Sequence, residues 1–464
     1  MFSNKALKSL LIPLIIEQFL AISLGIADTM MVSTVGESAV SGVSLVDMLN
    51  VLIIDIFAGL ASGGAVVASQ FIGAKNRRGS ERSSGQLILI AAISGIAVSA
   101  AVLLLRRPLL RLLFRSVEDE VMASALTYFT VTALSFPFIS VYNAAAALFR
   151  SMGNSRISMI SSLVINIINI IGNSIFIFGF GMGVAGAALA TVLSNLLSVA
   201  YYVRYFLRKS ACLSVSPRLL SPDGYICKSI LLIGVPAFIN NILITVAQIL
   251  LNNHAAAYGD DVVAALGIVS RTTSLPVLLL IGLAQGVQPL IAYNYAAGNR
   301  KRLTGTMKLT ALSGTALALL LAVLLYALAG PVVSAFLDKA EVVRLGVRFL
   351  RVNVCSVPFL ASLFLLMNVF QGMGKALPSL ILSICRQGVI FLPLLLLGDI
   401  YYGLNGIVWA QPAADILSTF IAALMFLLLY RAQKHAAQAE QPLRMADSSD
   451  SSDPSDSSGQ DSPS

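Results

Sequence analysis

Charge is what this sequence has least of. Only 11% of its 464 residues are Asp, Glu, Lys or Arg, whereas soluble domains carry roughly 25%. A water-soluble particle of this size could not be covered with so few. The chain also has two histidines and one tryptophan. With no plausible nucleophile–base pair, catalysis has little to stand on, and an enzyme is not expected. Its four cysteines, Cys212, Cys227, Cys355 and Cys385, lack metal-type spacing and are expected to be free thiols. A nucleotide loop is missing too. Gly374-Lys375 lacks the Walker spacing, and Gly179-Phe180-Gly181-Met182-Gly183 reads as a turn between two apolar runs. ATP hydrolysis within this chain therefore cannot drive a process, and no cofactor is expected.

What is present is apolar surface: 57% hydrophobic residues and a mean hydropathy of +0.86. The solvent over most of such a surface must be lipid, where only helices and closed barrels satisfy their backbone groups. The apolar runs reach about 20 residues or more rather than alternating over about 10, so the helical reading wins. The fold class expected is an all-α polytopic membrane protein. Twelve spans are predicted at 8–34, 43–73, 87–114, 126–149, 158–179, 185–207, 228–256, 264–296, 308–330, 346–371, 378–398 and 404–430. Lys5 and Lys8 ahead of an apolar stretch resemble a signal peptide. Glu17 and Gln18 interrupt that stretch, however, and no small-residue cleavage site follows, so it is read as the first span.

Residues 1–207 form a first six-helix lobe, 208–227 a polar cytoplasmic linker, and 228–432 a second lobe. The Ser/Asp-rich tail 433–464 is expected to be disordered. The net charge of +9 is scattered in short clusters between apolar runs, which is a topology signal and not a nucleic-acid surface. Lys75, Arg77, Arg78, Arg82, Arg300, Lys301, Arg302 and Lys308 lie on the N-terminal side. Fewer lie opposite, where Arg106, Arg107, Arg111 and Arg115 are an unexplained cluster. The bias places both termini in the cytoplasm of a multi-pass protein of the cell membrane.

The two lobes repeat one another. Gly59-Leu60-Ala61-Ser62-Gly63 matches Gly282-Leu283-Ala284-Gln285-Gly286, and Ala74-Lys75-Asn76-Arg77 matches Ala297-Gly298-Asn299-Arg300. Further on, Ser135-Phe136-Pro137-Phe138 matches Ser356-Val357-Pro358-Phe359, and Met152-Gly153 matches Met373-Gly374. Several matches in order and nearly in register point to duplication. An even number of spans per half makes the repeat parallel, an architecture in which transporters place a cleft between halves. A duplicated scaffold with no transport role is the alternative.

Carboxylates in lipid cost at least ~2.5–3.5 kcal/mol each on insertion scales, so each is a functional candidate. The first half has Glu17, Asp28 and Asp55. Glu17 and Asp28 fall within about 20° of one helix face and about 16 Å apart along it. Pro13 removes a backbone donor and is a candidate hinge. Asn166, Asn169 and Asn173 share one face of the fifth span, and Thr191, Ser194, Asn195 and Ser198 one face of the sixth. Two readings of these stripes stay open. One is interhelical hydrogen bonding. The other is a cation pocket of amide, hydroxyl and carboxylate oxygens, in which Asp28 supplies the negative charge or takes a proton. The second half keeps no helix 7 carboxylate: Asn240 and Leu251 stand where Glu17 and Asp28 would. Asn241, Gln248 and His254 remain, with Arg386 and Asp415 read as a buried structural pair. Glu17, Asp55 and Gln248 are candidates for a substrate or proton path.

These residues carry a resemblance. Pro13 and Asp28, the stretch Val35–Gly42, Gln70 with the Gly73–Arg77 turn, and Phe149-Arg150-Ser151-Met152-Gly153 resemble the multidrug and toxic compound extrusion (MATE) family over nearly all of residues 8–430. The resemblance implies two lobes forming a V-shaped cleft and export of cationic, amphipathic compounds against Na+ or H+. It also implies a first-lobe cation site at Asp28, Asn169, Asn173 and Thr191, with any bound Na+ held there. Some members have an acid where this chain has Asn173, which leaves its pocket one charge poorer. A small-molecule substrate and the bilayer are the partners implied, with no nucleic acid, and the chain is expected to be monomeric. A flippase for lipid-linked precursors is the alternative within transporters. A non-transporting membrane enzyme or receptor is the alternative outside them.

Overall fold

The computed structural model describes residues 4–114, 117–206, 222–337 and 339–449, of which 4–12, 21–22, 430 and 432–449 are described as backbone alone. The expected linker lies mostly outside the described residues, as do Cys212, Arg115 and residues 450–464 of the expected tail.

The first half contains α1 (Asn4–Ser33), α2 (Glu37–Gly73), α3 (Arg77–Leu113), α4 (Asp119–Ala133), α5 (Phe136–Ser151), α6 (Ser155–Asn173) and α7 (Gly183–Phe206). The second contains α8 (Gly224–Ala256), α9 (Asp260–Ala296), α10 (Arg300–Ala327), a short α11 (Ala329–Ser334), α12 (Ala340–Val354), α13 (Val357–Gly372), α14 (Ala376–Ile384), α15 (Leu392–Tyr402) and α16 (Leu404–Ser449). Among the described residues, ten helices are long and apolar enough to cross a membrane, and two bent pairs bring the number to twelve.

The bent pairs explain one of the repeated motifs. α4 meets α5 at 50° and α12 meets α13 at 44°, so the fourth and tenth spans are each broken where the sequence suggests one continuous helix. Pro137 and Pro358 lack the backbone N–H that would carry the helix through. The hydroxyls of Ser135 and Ser356 donate to the carbonyls of Thr132 and Asn353, at 2.6 and 3.0 Å, and the Ala133 carbonyl that Pro137 leaves free accepts from Ser99 Oγ at 2.8 Å. The Asn76/Asn299 repeat is a pair of N-caps: their side chains accept from the backbone N–H of Gly79 and Arg302. Immediately before each cap the chain is left-handed, at Lys75 (φ 57°) and Gly298 (φ 66°).

α16 is helical as far as Ser449, so residues 433–449 are helical where a disordered tail is expected. The stretch Arg431-Ala-Gln-Lys-His-Ala-Ala-Gln-Ala-Glu-Gln is made of strong helix formers, which extends the last span beyond its apolar part.

Each lobe has its own core, with Phe129 and Phe136 in the first and Phe349 and Phe370 in the second. The lobes meet chiefly where α2 packs on α8 and α9. The seam runs from mid-span, where a Cβ on Gly59 would lie 3.0 Å from the Gly234 carbonyl oxygen, to the end beside the 74–76 turn, where one on Gly73 would press on the Tyr293 carbonyl. This is the close approach that small residues permit in lipid. A chain of hydrogen bonds follows. Ser62 Oγ donates to Gln288 Oε1, Gln288 Nε2 to Gln371 Oε1, and Gln371 Nε2 to Ser379 Oγ, each at 2.9 Å. Gln70 Nε2 adds a bond to the Gly372 carbonyl at 3.1 Å.

Candidate functional site

The polar stripes of the fifth and sixth spans turn toward each other because α6 and α7 are lined with small residues. Gly172 faces Ala190 so closely that a Cβ there would lie 2.9 Å from the alanine's own. At that spacing an asparagine can reach across. Asn169 Nδ2 donates to Thr191 Oγ1 at 3.3 Å, and Thr191 Oγ1 donates onward to the Ala187 carbonyl at 3.1 Å. Asn173, one turn along α6, donates from Nδ2 to Asn169 Oδ1 at 3.0 Å and to Asp28 Oδ1 at 2.5 Å. α1, α6 and α7 thus bring Asp28, Asn169, Asn173 and Thr191 into one connected group.

The group is short of donors. Asn173 and Asn169 are 0% and 1% exposed, yet the Asn173 side-chain oxygen has no hydrogen-bond partner. Buried acceptors left unpaired are costly. Carboxylate, amide and hydroxyl oxygens that converge without enough N–H or O–H groups are the donor set hard cations prefer. Asn166 stands apart, since its amide donates back to the Ser162 carbonyl at 2.8 Å.

A second carboxylate adjoins the group that sequence reasoning did not single out. Asp47 on α2 lies close enough to Asp28 for the two to repel. It also lies near the hydroxyl of buried Tyr128 on α4 and accepts from Asn50 Nδ2 at 3.4 Å. The available signal was an Asp inside the 43–73 run with Asn50 one turn on. Lying one turn from the end of its span, it reads as an interfacial residue unless α1 is known to pack beside it.

The other candidates sit elsewhere. Glu17 accepts from Arg150 Nη1 and from Ser158 Oγ, each at 3.0 Å, so both of its oxygens are taken within the first lobe. Asp55 lies near Asn241 of α8, across the two lobes. Gln248 lines a cavity inside the second lobe. Pro13 is enclosed within α1, which continues through it as a single helix. His254 is tied up: its Nδ1 meets Asp399 Oδ2 at 2.9 Å, and Tyr258 donates to the other oxygen at 2.5 Å. Arg386 and Asp415 form a buried pair at 2.8 Å. Among the described residues, no group of three or more His, Cys, Asp or Glu could hold a metal ion.

Comparison with known proteins places the fold in a family. The MatE family model matches the chain twice, over residues 13–175 and 236–397, one match in each half of the duplication. The chain is 29% identical over 419 residues to the multidrug export protein MepA of Staphylococcus saprophyticus, covering 90% of this chain and 92% of that one. It is 29% identical over 428 residues to MepA of Staphylococcus aureus, covering 92% and 94%. Among solved structures, MATE in the bent conformation superposes with a TM-score of 0.88 at 23% identity, covering 94% and 97% of the two chains. A MOP superfamily transporter from Pyrococcus furiosus superposes at 0.87 and 23%, covering 93% and 96%. These structures share the fold.

Proposed function

Since the chain belongs to the MatE family of multi-pass membrane transporters and is not an enzyme, we propose that it exports cationic or amphipathic drugs and metabolites in exchange for Na+ or H+. The MepA relatives are multidrug export proteins, which supports the drug part of this reading. The coupling part rests on one observation: Asn173 bonds Asp28 while its own buried oxygen stays unpaired. Asp28, Asn169, Asn173 and Thr191 are the coupling residues. Asp47 supplies the second charge that the asparagine at position 173 withholds.

A cation entering this group gains oxygen ligands that have too few donors. A proton arriving at Asp28 removes the repulsion from Asp47. Either event changes how α1 is held against α6, and Pro13 is the point at which α1 can yield. Asp55, which lies near Asn241 of the other lobe, gives a cationic substrate a counter-charge in the cleft. With the basic turns in the cytoplasm, the lobe contacts near them close the cytoplasmic side, and the cleft opens outward. The chain works as a monomer in the plasma membrane, with both termini in the cytoplasm and no cofactor.

The test is efflux of a cationic dye from proteoliposomes under separate Na+ and H+ gradients. One gradient is expected to drive efflux, and Asp28→Asn to abolish it while the protein still inserts. Efflux unchanged in Asp28→Asn would remove the site. Absence of efflux under both gradients would favour the flippase reading. Pro13→Ala is expected to slow turnover without loss of insertion, and unchanged turnover would remove the hinge.

A further inference from the structure

Between α8 and α14 the second lobe has an open groove of about 850 Å³. Lys228 of α8 and Lys375, the residue just before α14, stand in its wall, followed by Leu231 and Val235 on α8 and Leu377 and Leu380 on α14. Both helices begin at the same end, since Ile226 and Ala376 pack in one cluster. On each, the lysine comes first and the apolar residues follow, so the groove is charged at one end and apolar along the rest. From Lys228 to Pro236, the farthest residue of α8 in the wall, the helix rises about 12 Å. One leaflet's share of the hydrocarbon core is about 15 Å. The groove therefore runs within a single leaflet.

The groove faces lipid and not the seam between the lobes. α8 packs toward α2 through Ile226, Ile230, Ile233 and Gly234. At about 100° per residue, Lys228, Leu231, Leu232 and Val235 lie roughly 160° around the helix from that seam. Leu231, Leu232 and Leu377 are 43%, 59% and 64% exposed, an apolar surface that belongs against hydrocarbon.

The charge at the polar end is not neutralised by the protein. Among the described residues, neither lysine's ammonium has an ion pair or a hydrogen bond. Asp223, the acid nearest to Lys228 in sequence, is occupied. Its Oδ1 accepts from the backbone N–H groups of Tyr225 and Ile226, and its Oδ2 lies 3.9 Å from Arg82. Two positive charges above an apolar trough suit an amphiphile with an anionic head. A free anion would leave the trough empty, and a zwitterionic lipid would bring a cation of its own to the lysines.

We propose that the groove between α8 and α14 is a binding site for an anionic phospholipid. The phosphodiester lies at Lys228 and Lys375, and an acyl chain runs along Leu231, Val235, Leu377 and Leu380. Basic residues at a membrane surface favour anionic lipid by roughly fivefold each. The site is separate from the cation group of the first lobe and does not depend on its role.

The delipidated full-length chain, titrated with dioleoylphosphatidylglycerol or dioleoylphosphatidylcholine and with bound lipids counted by native mass spectrometry, tests this. The first phosphatidylglycerol is expected to bind about 25-fold tighter than phosphatidylcholine, the product of two lysines. Lys228→Gln and Lys375→Gln should each weaken it about fivefold, and together bring it to the phosphatidylcholine level. Lys301→Gln with Arg302→Gln, a basic pair on α10, should leave this first binding event unchanged. Glycerol 3-phosphate, a head without chains, should not displace the lipid at equal concentration. Four results would overturn the site: equal binding of the two lipids; undiminished binding in the double lysine variant; an equal loss in the Lys301 and Arg302 variant; or displacement by glycerol 3-phosphate.

Discussion

Asn173 donates to Asp28 Oδ1 at 2.5 Å while its own side-chain oxygen, fully buried, bonds to nothing. The amide therefore holds the carboxylate in place and leaves an acceptor free beside it. Asn173→Asp exchanges that neutral acceptor for a charged one. In the Asp28→Asn background it is expected to restore part of the coupled efflux, because the charge returns to the same group from α6. In the unaltered background it sets a third carboxylate beside Asp28 and Asp47, and the affinity for the driving cation should rise by about tenfold, roughly one charge-assisted contact. Cation-dependence curves in proteoliposomes measure both. No recovery in the double variant would mean that position 28 acts through more than its charge.

Asp47 makes a separate case. If it contributes charge to the group, Asp47→Asn should raise the concentration of driving cation needed for half-maximal efflux by about tenfold and leave the maximal rate nearly unchanged. If its role is only to hold Asn50 in place, Asp47→Asn keeps that bond, and the cation curve should not move. The curve separates the two roles directly.

The contrast between Asn173 and Asp47 also marks how far the sequence could be read. Span number and the asparagine stripe of α6 rest on local periodicities of about 20 and 3.6 residues, and the duplication on motifs that recur in order in the second half, all of which the chain carries in itself. So does Asp28, because an acid in mid-span is costly wherever its helix packs. Asp47 and the groove of Lys228 and Lys375 become visible only once α2 is known to lie beside α1 and α14 beside α8. Neither fact has a period to betray it. The bends at Pro137 and Pro358 lie between these cases: the prolines stood in the repeat, but a proline in a membrane helix can be absorbed as well as break it.

The α2–α8 crossing depends on residues without side chains. A Cβ on Gly63 would lie 2.8 Å from the Gly234 backbone nitrogen and closer still to the Ile230 carbonyl. Gly63→Leu must therefore push the lobes apart where Ser62 and Gln70 join them. Spin labels at Arg78 and Lys301, both exposed beside the paired turns, should show a longer and broader distance distribution in this variant. Overpacking of this kind costs typically 1–3 kcal/mol, so the protein should still insert. An unchanged distribution would place the joint between the lobes elsewhere.

The buried pair in the second lobe gives a prediction about stability. Arg386 and Asp415 are 5% and 3% exposed, and the bond between them is 2.8 Å long. Removing one partner leaves the other charge buried alone, which costs about 3–5 kcal/mol, whereas replacing both with apolar residues of similar volume is often neutral. Arg386→Leu should therefore lower the melting temperature markedly, and adding Asp415→Leu should recover most of the loss despite removing a second polar group. The melting temperatures of the two single variants and the double variant, read in the same detergent, give the coupling directly. Additive losses would mean that each residue is held by other contacts, such as Arg386 over the Phe364 ring at 5.5 Å or Gln411 on Asp415. Recovery in the double variant would mean that the charges serve chiefly to cancel one another.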